Sequence, residues 1–509
     1  LSDAPRYYIT CAIDYANGNP HIGHAIEKIG GDAMARYHRL KGEHVHFLVG
    51  LDEHGLKVLQ SANAEGISPQ EWVDRIAESF LTTWRQLDVA HDDFIRTSEP
   101  RHRRAVEEMI RRLQAADDLY KAKYAGNYCV GCEAFKRGDE LSTDESGTLR
   151  CPIHPTRDIV WSEEENWFFR LSRYQDRLLE LINQRPEFIQ PEIRRNEIRR
   201  VIEGGLEDIS VSRANLSWGI PWPGEAGTTV YVWIDALTNY ISAIGFPDNR
   251  YLEYWPAAWH VIGKDITRFH CIYWPAMLMS AGVDVPRSVW GHGFITFGGA
   301  KLSKSDSDVR IELNDAIERH GADALRYFLL KDIPWNGDGE FSWERFDERY
   351  TADLANNFGN LANRVISMIE RYREGTVPNA ASTRMDEQTA ATLVRYRTAM
   401  DENLLHHGAA AALELSSAAN GYIEEMAPWS LAKAATPDAA QKLDEVLGSL
   451  ARAVAALCML LEPFTPGKMR DLAGRLGLQR VPLLAEIAQL DLAGNRVQRG
   501  DVLFPRLVS

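Results

Sequence analysis

Two histidines three residues apart, His21 and His24, sit in the stretch NGNPHIGHAIEK at 17 to 28, directly ahead of a helical pattern. At the first turn of a helix they share one face, and Gly23 between them lets a ligand approach the backbone. A helix N-terminus draws anions through its unpaired N–H groups and dipole, so the corner suits phosphates. Imidazole N–H groups there can donate to phosphate oxygens as charge develops in a transition state. Taken alone, the pair also fits core histidines, two ligands of a metal, or an exposed turn. Far downstream, GGAKLSKS at 298 to 305 is a glycine hairpin carrying Lys301 and Lys304 among serines. Glycines give such a loop mobility, and the two ammonium groups are point charges able to clamp a polyphosphate. A solvated surface loop is the competing reading.

A second set of residues points to a metal. CVGC at 129 to 132 and CPIH at 151 to 154 supply Cys129, Cys132, Cys151 and His154, a spacing that suits tetrahedral zinc with a hairpin at each end. Four protein ligands close the shell and leave no place for a reactive water, so one structural Zn²⁺ is expected, with free thiols or iron as alternatives. The remaining cysteines, Cys11, Cys271 and Cys458, lie far apart, and six in 509 residues do not make a disulfide scaffold.

The elements that must position these groups follow from periodicity. RYYITCAI at 6 to 13 alternates like a strand, a loop rich in Asn, Gly and Pro follows, and a helix is expected from about 22 to 41. HVHFLVG at 44 to 50 is a second apolar run, ending at LDEHG and followed by helical stretches, the βα rhythm of a parallel sheet. Between about 120 and 160 the periodicity breaks down, which marks an insertion. TTVYVWI at 228 to 234 and AWHVIG at 258 to 263 are expected to resume the sheet as strands. After Ser342 the β signal ends. Leu354, Phe358, Leu361, Val365, Met368 and Tyr372 recur at spacings of three or four, one stripe of a long helix, and helical windows continue to about residue 465 as a bundle.

Composition narrows the function. A chain of 509 residues implies several domains, and no apolar run approaches the roughly 20 residues that span a bilayer, so no membrane role is expected. The opening LSDAPRYYIT has neither the basic nor the apolar segment of a secretory signal, which leads to a cytoplasmic expectation. A formal net charge of −15 argues against a protein that coats nucleic acid indiscriminately. RHRR at 101 to 104 and RRNEIRR at 194 to 200 are either local basic tracks or solvated helix faces.

HIGH at 21 to 24 and KLSKS at 301 to 305 resemble the two signature motifs of class I aminoacyl-tRNA synthetases, in the same order. Within that class the chain resembles the methionyl-tRNA synthetase family along nearly its whole length, through CAIDYANGNPHIGH (11 to 24), LDEHG (51 to 55), GGLEDISVSR (204 to 213), YVWIDALTNY (231 to 240) and IGKDITRFH (262 to 270). The resemblance implies an α/β fold: a Rossmann-like, doubly wound parallel catalytic domain with a zinc-knuckle insertion, then an all-α anticodon-binding helix bundle. It divides the chain into 1–115 and 226–290 as the catalytic halves, 116–225 as the insertion, 291–345 as the KLSKS stem-contact region and 346–509 as the bundle.

The implied activity is ATP-dependent ligation of methionine to methionine tRNA, initiator and elongator, through a methionyl-adenylate. The cofactors would be ATP with Mg²⁺ and one Zn²⁺. His21, His24, Lys301 and Lys304 would act on the ATP phosphates, and Gly23, Glu27, Gly263, Asp265 and Gly293 would complete the nucleotide side. Asp265 fits a simple helix N-cap equally well. Asp52 would hold the substrate ammonium, and Ala12, Ile13, Tyr15, Trp233, Ala236, Leu237, Tyr240, Ile266 and His270 would form the methionine pocket. A thioether suits such an apolar, aromatic cavity with a polar handle, though Trp233 and Tyr240 also fit plain core. Asn360, Arg364 and Trp429 match anticodon-reading positions.

Two positions depart from the family pattern, Leu51 before the carboxylate of LDEHG and Leu237, and put the shape of the pocket in question. The chain ends soon after the bundle, which leads to the expectation of a monomer. The rivals are another class I synthetase of the cysteine type, an HxGH nucleotidyltransferase, and an RNA-binding protein with a degenerate core. Homocysteine lacks only a methyl group of methionine, so a pocket rejects it by only ~1–3 kcal/mol and misactivation is expected.

Overall fold

The computed structural model describes residues 4–129, 134–136, 138–144, 147–153, 155, 157–214, 216–297, 300–301, 311–434 and 436–506. Its centre is a seven-stranded sheet in which every pairing is parallel. The strand Arg6–Cys11 lies between Ala258–Gly263 and His44–Asp52; Ser288–His292 and then Ile189–Gln190 extend one side, and Asp14–Tyr15 and Asp93–Arg96 pair with His44–Asp52. Strands covered on both faces need apolar residues on both, which is why they read as continuous runs. Tyr7, Ile9 and Cys11 enter one buried cluster, and Tyr8 and Ala12 enter the other.

The helix Ile22–Leu40 returns the chain from the first strand to His44–Asp52 across the first of those faces. Helices Pro100–Ala115, Val232–Ser242 and Trp274–Ser280 cover the second. Because winding reverses about Arg6–Cys11, a crevice opens beyond the carboxyl ends of the central strands, where α/β sheets bind ligands. Cys11, Asp52 and Gly263 end the three strands at that edge.

Several expectations are corrected. TTVYVWI is a strand only over Thr228–Val230, which pairs antiparallel with Ser212–Ala214 outside the main sheet; a helix begins at Val232. Ile234, Leu237 and Ile241 fall at helical spacing, and that period overrides the short β-branched run. The region from 120 to 160 is more regular than its sequence: Leu119–Cys129 pairs antiparallel with Ile159–Phe169 through all eleven residues. Leu119, Phe168 and Phe169 are buried at its base but Val160 and Trp161 near its outer end are exposed, so burial imposes alternation along only part of its length.

The long helix after Ser342 contains wide π-type turns over Tyr350–Gly359 before Asn360–Arg373. Its stripe drifts, so Ile366 and Ile369 are buried while Met368 and Tyr372 are half-buried. Helices Arg384–Asp401, Leu405–Met426, Pro437–Leu461 and Pro466–Arg475 complete the bundle beyond the expected limit. Both arginine-rich stretches lie on helices with acidic partners: Arg101 bridges Asp93 and Glu99, Arg104 bridges Asp248, and Arg194 and Arg195 bridge Glu197 and Glu192. That supports the helix-face reading. No described helix is long and apolar enough to cross a membrane.

Candidate active site

His21 and His24 form the cap of the helix Ile22–Leu40. His21 is extended (φ −136°, ψ 174°) and stands at the N-cap, one step outside the helix. The Gly23 N–H donates to Nδ1 of His21 at 3.1 Å, and the His21 N–H donates to Nδ1 of His24 at 3.2 Å. This is a capping box built from imidazoles, which satisfies donors that carboxylates and hydroxyls usually serve. The rings stack with centroids 3.8 Å apart. With each Nδ1 accepting, the proton of each neutral ring lies on Nε2, a donor suited to phosphate oxygens. Gly23 has a second role beyond ligand approach, because a Cβ there would sit 2.9 Å from Cε1 of His21.

One turn after His24, a charged cluster is buried. Lys28, with 1% of its side chain exposed, donates to Oδ1 of Asp14 at 2.5 Å, to the Ala12 carbonyl at 2.9 Å and to Oε1 of Glu27 at 3.0 Å. Oε2 of Glu27 lies 3.2 Å from Nε2 of His292. Burial favours a protonated Glu27, yet the Lys28 ammonium and His292 outweigh it and hold the carboxyl below its usual range. Burial likewise opposes the charge on Lys28, and Asp14 and Glu27 overcome it, so the ammonium persists.

Of the residues assigned to the methionine pocket, six lie in or against the second cluster, whereas Tyr15 packs against the first. Ala12, Leu237 and Tyr240 share one buried cluster, with Ile13, Trp233 and Ile266 packed against it. Trp233 stacks on Phe269 with ring centroids 3.7 Å apart and planes within 3°. Nδ1 of His270 faces the Ile266 carbonyl at 3.0 Å, which can only accept, so Nε2 accepts from the Tyr240 hydroxyl at 2.6 Å. Burial pushes His270 down to about 4, so the ring is neutral at physiological pH. Beneath Tyr240, His260 stacks at 4.1 Å and is fixed by Trp274 at 3.2 Å and Thr10 at 2.7 Å.

Ala236 and Asp52 are buried, and Tyr15 is half-buried. Leu51 belongs to the opposite face of the sheet, in the cluster of Ile9 and Cys11. Of the two departures from the family pattern, Leu237 alone lies in the same cluster as Ala12 and Tyr240.

On the other side of the crevice, Asp265 follows Gly263 in a single turn, Lys264–Ile266, that has no side-chain cap. The cap position of that turn is Gly263, so Asp265 lies inside the turn and not at its N-cap. A Cβ at residue 263 would lie 2.7 Å from Oδ1 of Asp265, so that carboxylate would have to turn away to admit one. Gly293 is enforced, since a Cβ would come within 2.1 Å of the Gly337 carbonyl oxygen. Lys301 ends a short strand, Ala300–Lys301, paired with Ile295–Phe297. Its side chain and Lys304 lie outside the described residues.

Cys129 and Cys151 are both buried, although Leu149, Ile153, Val160 and Trp161 around them are exposed. Two buried thiols at a tip without an apolar core fit ligands of a metal better than packing residues. Cys132 and His154 lie outside the described residues. In the bundle, Asn360 and Arg364 line a cavity of about 530 Å³ with Asn357, Asn420 and Glu424. Arg364 bridges Glu424 at 2.6 Å. Trp429 is not among the cavity's lining residues; it is 44% exposed at the start of the helix Pro428–Ala434.

Comparison with known proteins agrees with this arrangement. Residues 7–154 and 136–366 match the model for class I tRNA synthetases (M), and residues 373–508 match the anticodon binding domain of methionyl tRNA ligase. The chain belongs to the methionyl-tRNA synthetase family. It is 44% identical to the methionine–tRNA ligase of Brucella suis, over 99% of this chain and 98% of that one. With the methionine–tRNA ligase of Streptomyces coelicolor the identity is 40%, over 99% and 97%. Among solved structures, Mycobacterium tuberculosis methionyl-tRNA synthetase in complex with methionyl-adenylate superposes with a TM-score of 0.94 at 38% identity, covering 99% of this chain and all of that one.

Two clusters escaped sequence reasoning. One is Lys28 with Asp14 and Glu27, the latter facing His292; the helix buries Asp32 and Arg36 as well, so no apolar pattern singled Lys28 out. The other is Asp235, whose carboxylate receives Nδ1 of His54 at 2.6 Å and Nε2 of His102 at 2.7 Å. Burial opposes its charge, but the two imidazoles hold it down at about 2. This pins the helix bearing Trp233 and Tyr240 to the strand end bearing Asp52. Nothing local in the sequence relates those three positions.

Proposed function

We propose that the protein is a methionine–tRNA ligase: it joins L-methionine to methionine tRNA in two steps, using ATP and releasing AMP and pyrophosphate. The observation that carries this reading is the imidazole capping box at the crevice, beside an aromatic pocket whose polar handle is the neutral His270. The methionine carboxylate attacks the α-phosphorus in line; an oxygen–phosphorus bond forms as the bond to pyrophosphate breaks. The terminal ribose hydroxyl of tRNA then attacks the acyl carbon, and AMP departs.

No protein nucleophile is needed. The His21 and His24 Nε2–H groups and the ammonium groups of Lys301 and Lys304 stabilise charge on the phosphates, while Gly23, Glu27, Gly263, Asp265 and Gly293 shape the nucleotide side. Asp52 holds the substrate ammonium, and Ala12, Ile13, Tyr15, Trp233, Ala236, Leu237, Tyr240, Ile266 and His270 take the side chain. Mg²⁺ arrives with ATP and neutralises the departing pyrophosphate. Asn360, Arg364 and Trp429 read unpaired anticodon bases by hydrogen bonding and stacking. Cys129, Cys132, Cys151 and His154 hold one structural Zn²⁺, which staples the insertion.

The test is ATP–pyrophosphate exchange without tRNA, driven in turn by methionine, cysteine, isoleucine, leucine and valine, followed by charging of methionine tRNA. Exchange with methionine alone is expected. Exchange with another amino acid would refute the pocket around His270, and no exchange at all would refute adenylation.

A further inference from the structure

We propose that Lys28 is a positioning residue for both substrates of adenylation: its ammonium ties the turn leading into the amino-acid pocket to Glu27. The inference rests on the reading that Ala12 serves methionine and Glu27 serves ATP.

All three donors of the ammonium are engaged, by the Ala12 carbonyl, Asp14 and Glu27, each group buried. Such a cluster is poorly explained by stability. Replacing a buried ion pair with apolar residues of similar volume is often neutral or stabilising, so packing alone gives no reason for a lysine here. Its contacts do give one. Ala12 and Asp14 flank the turn at the carboxyl end of Arg6–Cys11, and Glu27 lies on the helix that begins with the two signature histidines. A single side chain thereby sets the distance between the two halves of the crevice.

It also sets a charge. The groups facing Glu27 are Lys28 and His292 in contact, with Cys11, Asp14, Tyr240 and His270 around them. Lys28 is the fixed cation of that set. Without it, burial dominates and the Glu27 carboxyl titrates at higher pH. The acid side of the activity profile then moves toward neutrality.

The experiment measures methionine-driven ATP–pyrophosphate exchange against pH, with KM for each substrate and the melting temperature, in the full chain and its variants. Lys28→Met is expected to raise the KM for ATP about tenfold, the worth of a charge-assisted hydrogen bond. It should raise the KM for methionine as well and shift the acid limb upward. Asp14→Asn added to Lys28→Met removes the carboxylate left without its cation; it should recover melting temperature but neither KM nor the acid limb. Recovery of all three, or unchanged KM values and pH profile in the single variant, would reduce Lys28 to a structural role.

Should Lys28→Met fail to fold, Glu27→Gln decides the matter: it must abolish the acid limb, and retention of the native limb overturns the proposal. Failure of the native chain to exchange pyrophosphate with methionine would instead remove the functional reading on which the inference rests.

Discussion

The Tyr240 hydroxyl donates to Nε2 of His270 across 2.6 Å, and the opposite nitrogen of the same ring is committed to the Ile266 carbonyl. The pair is an oriented polar contact within the buried apolar cluster that holds Ala12 and Leu237. Tyr240→Phe leaves a buried Nε2 without its donor, a loss of about 1–3 kcal/mol. Steady-state exchange should therefore show a methionine KM raised at least several-fold, with ATP KM nearly unchanged. Equal rises in both would place Tyr240 in the general core.

Acid stability follows from the same ring. Burial lowers His270 from an ordinary 6.5 to about 4, so between those values the unfolded chain binds a proton that the folded chain refuses. The neutral ring's contribution is intact above about pH 6.5 and is lost as pH falls toward 4, on the order of 3 kcal/mol in all. Urea titrations across that window should show the slope, and His270→Gln should reduce it by this ring's share, since His260 and His406 are lowered by burial as well. An unchanged slope in the variant would assign the effect elsewhere.

The imidazole cap separates two roles of His21. Asparagine is among the best N-cap residues, so His21→Asn should preserve stability to within about 1 kcal/mol. It lacks the ring donor, and the exchange rate should fall by about a hundredfold. Stopped-flow adenylation beside a thermal melt checks both; a large loss of stability with little loss of rate would make His21 a cap and nothing more.

Metal content tests the insertion. Elemental analysis should find one zinc per chain, and a chelator should expose the 119–169 hairpin to protease while exchange declines less than in His21→Asn. A metal-free chain with a protease-resistant hairpin would refute the staple.

The catalytic stretch was legible because its signals are local. A strand, a Pro- and Gly-bearing turn and two histidines at a helix start lie within residues 6 to 24, and each is read from its neighbours. The insertion was not: the pair Leu119–Cys129 and Ile159–Phe169 lacks a buried face along its outer part, so alternation had no reason to appear. YVWI misled for the opposite reason. Its β-branched and aromatic residues suit a strand, but the apolar residues beyond it repeat at helical spacing and win.

Periodicity and motif by themselves determined the class of the fold and the position of the two histidines at a helix start, because these depend on residues close together. The tertiary structure alone decided that Leu51 packs with Ile9 and Cys11 on one face of the sheet while Leu237, on the helix Val232–Ser242, packs with Ala12 and Tyr240 on the other. It alone placed Asp235 between His54 and His102, and Lys28 between Asp14 and Glu27. Such charges persist in a dry interior only where the folded sheet and helices bring opposite partners within hydrogen-bonding distance, a condition set by strand order and burial that no stretch of sequence contains.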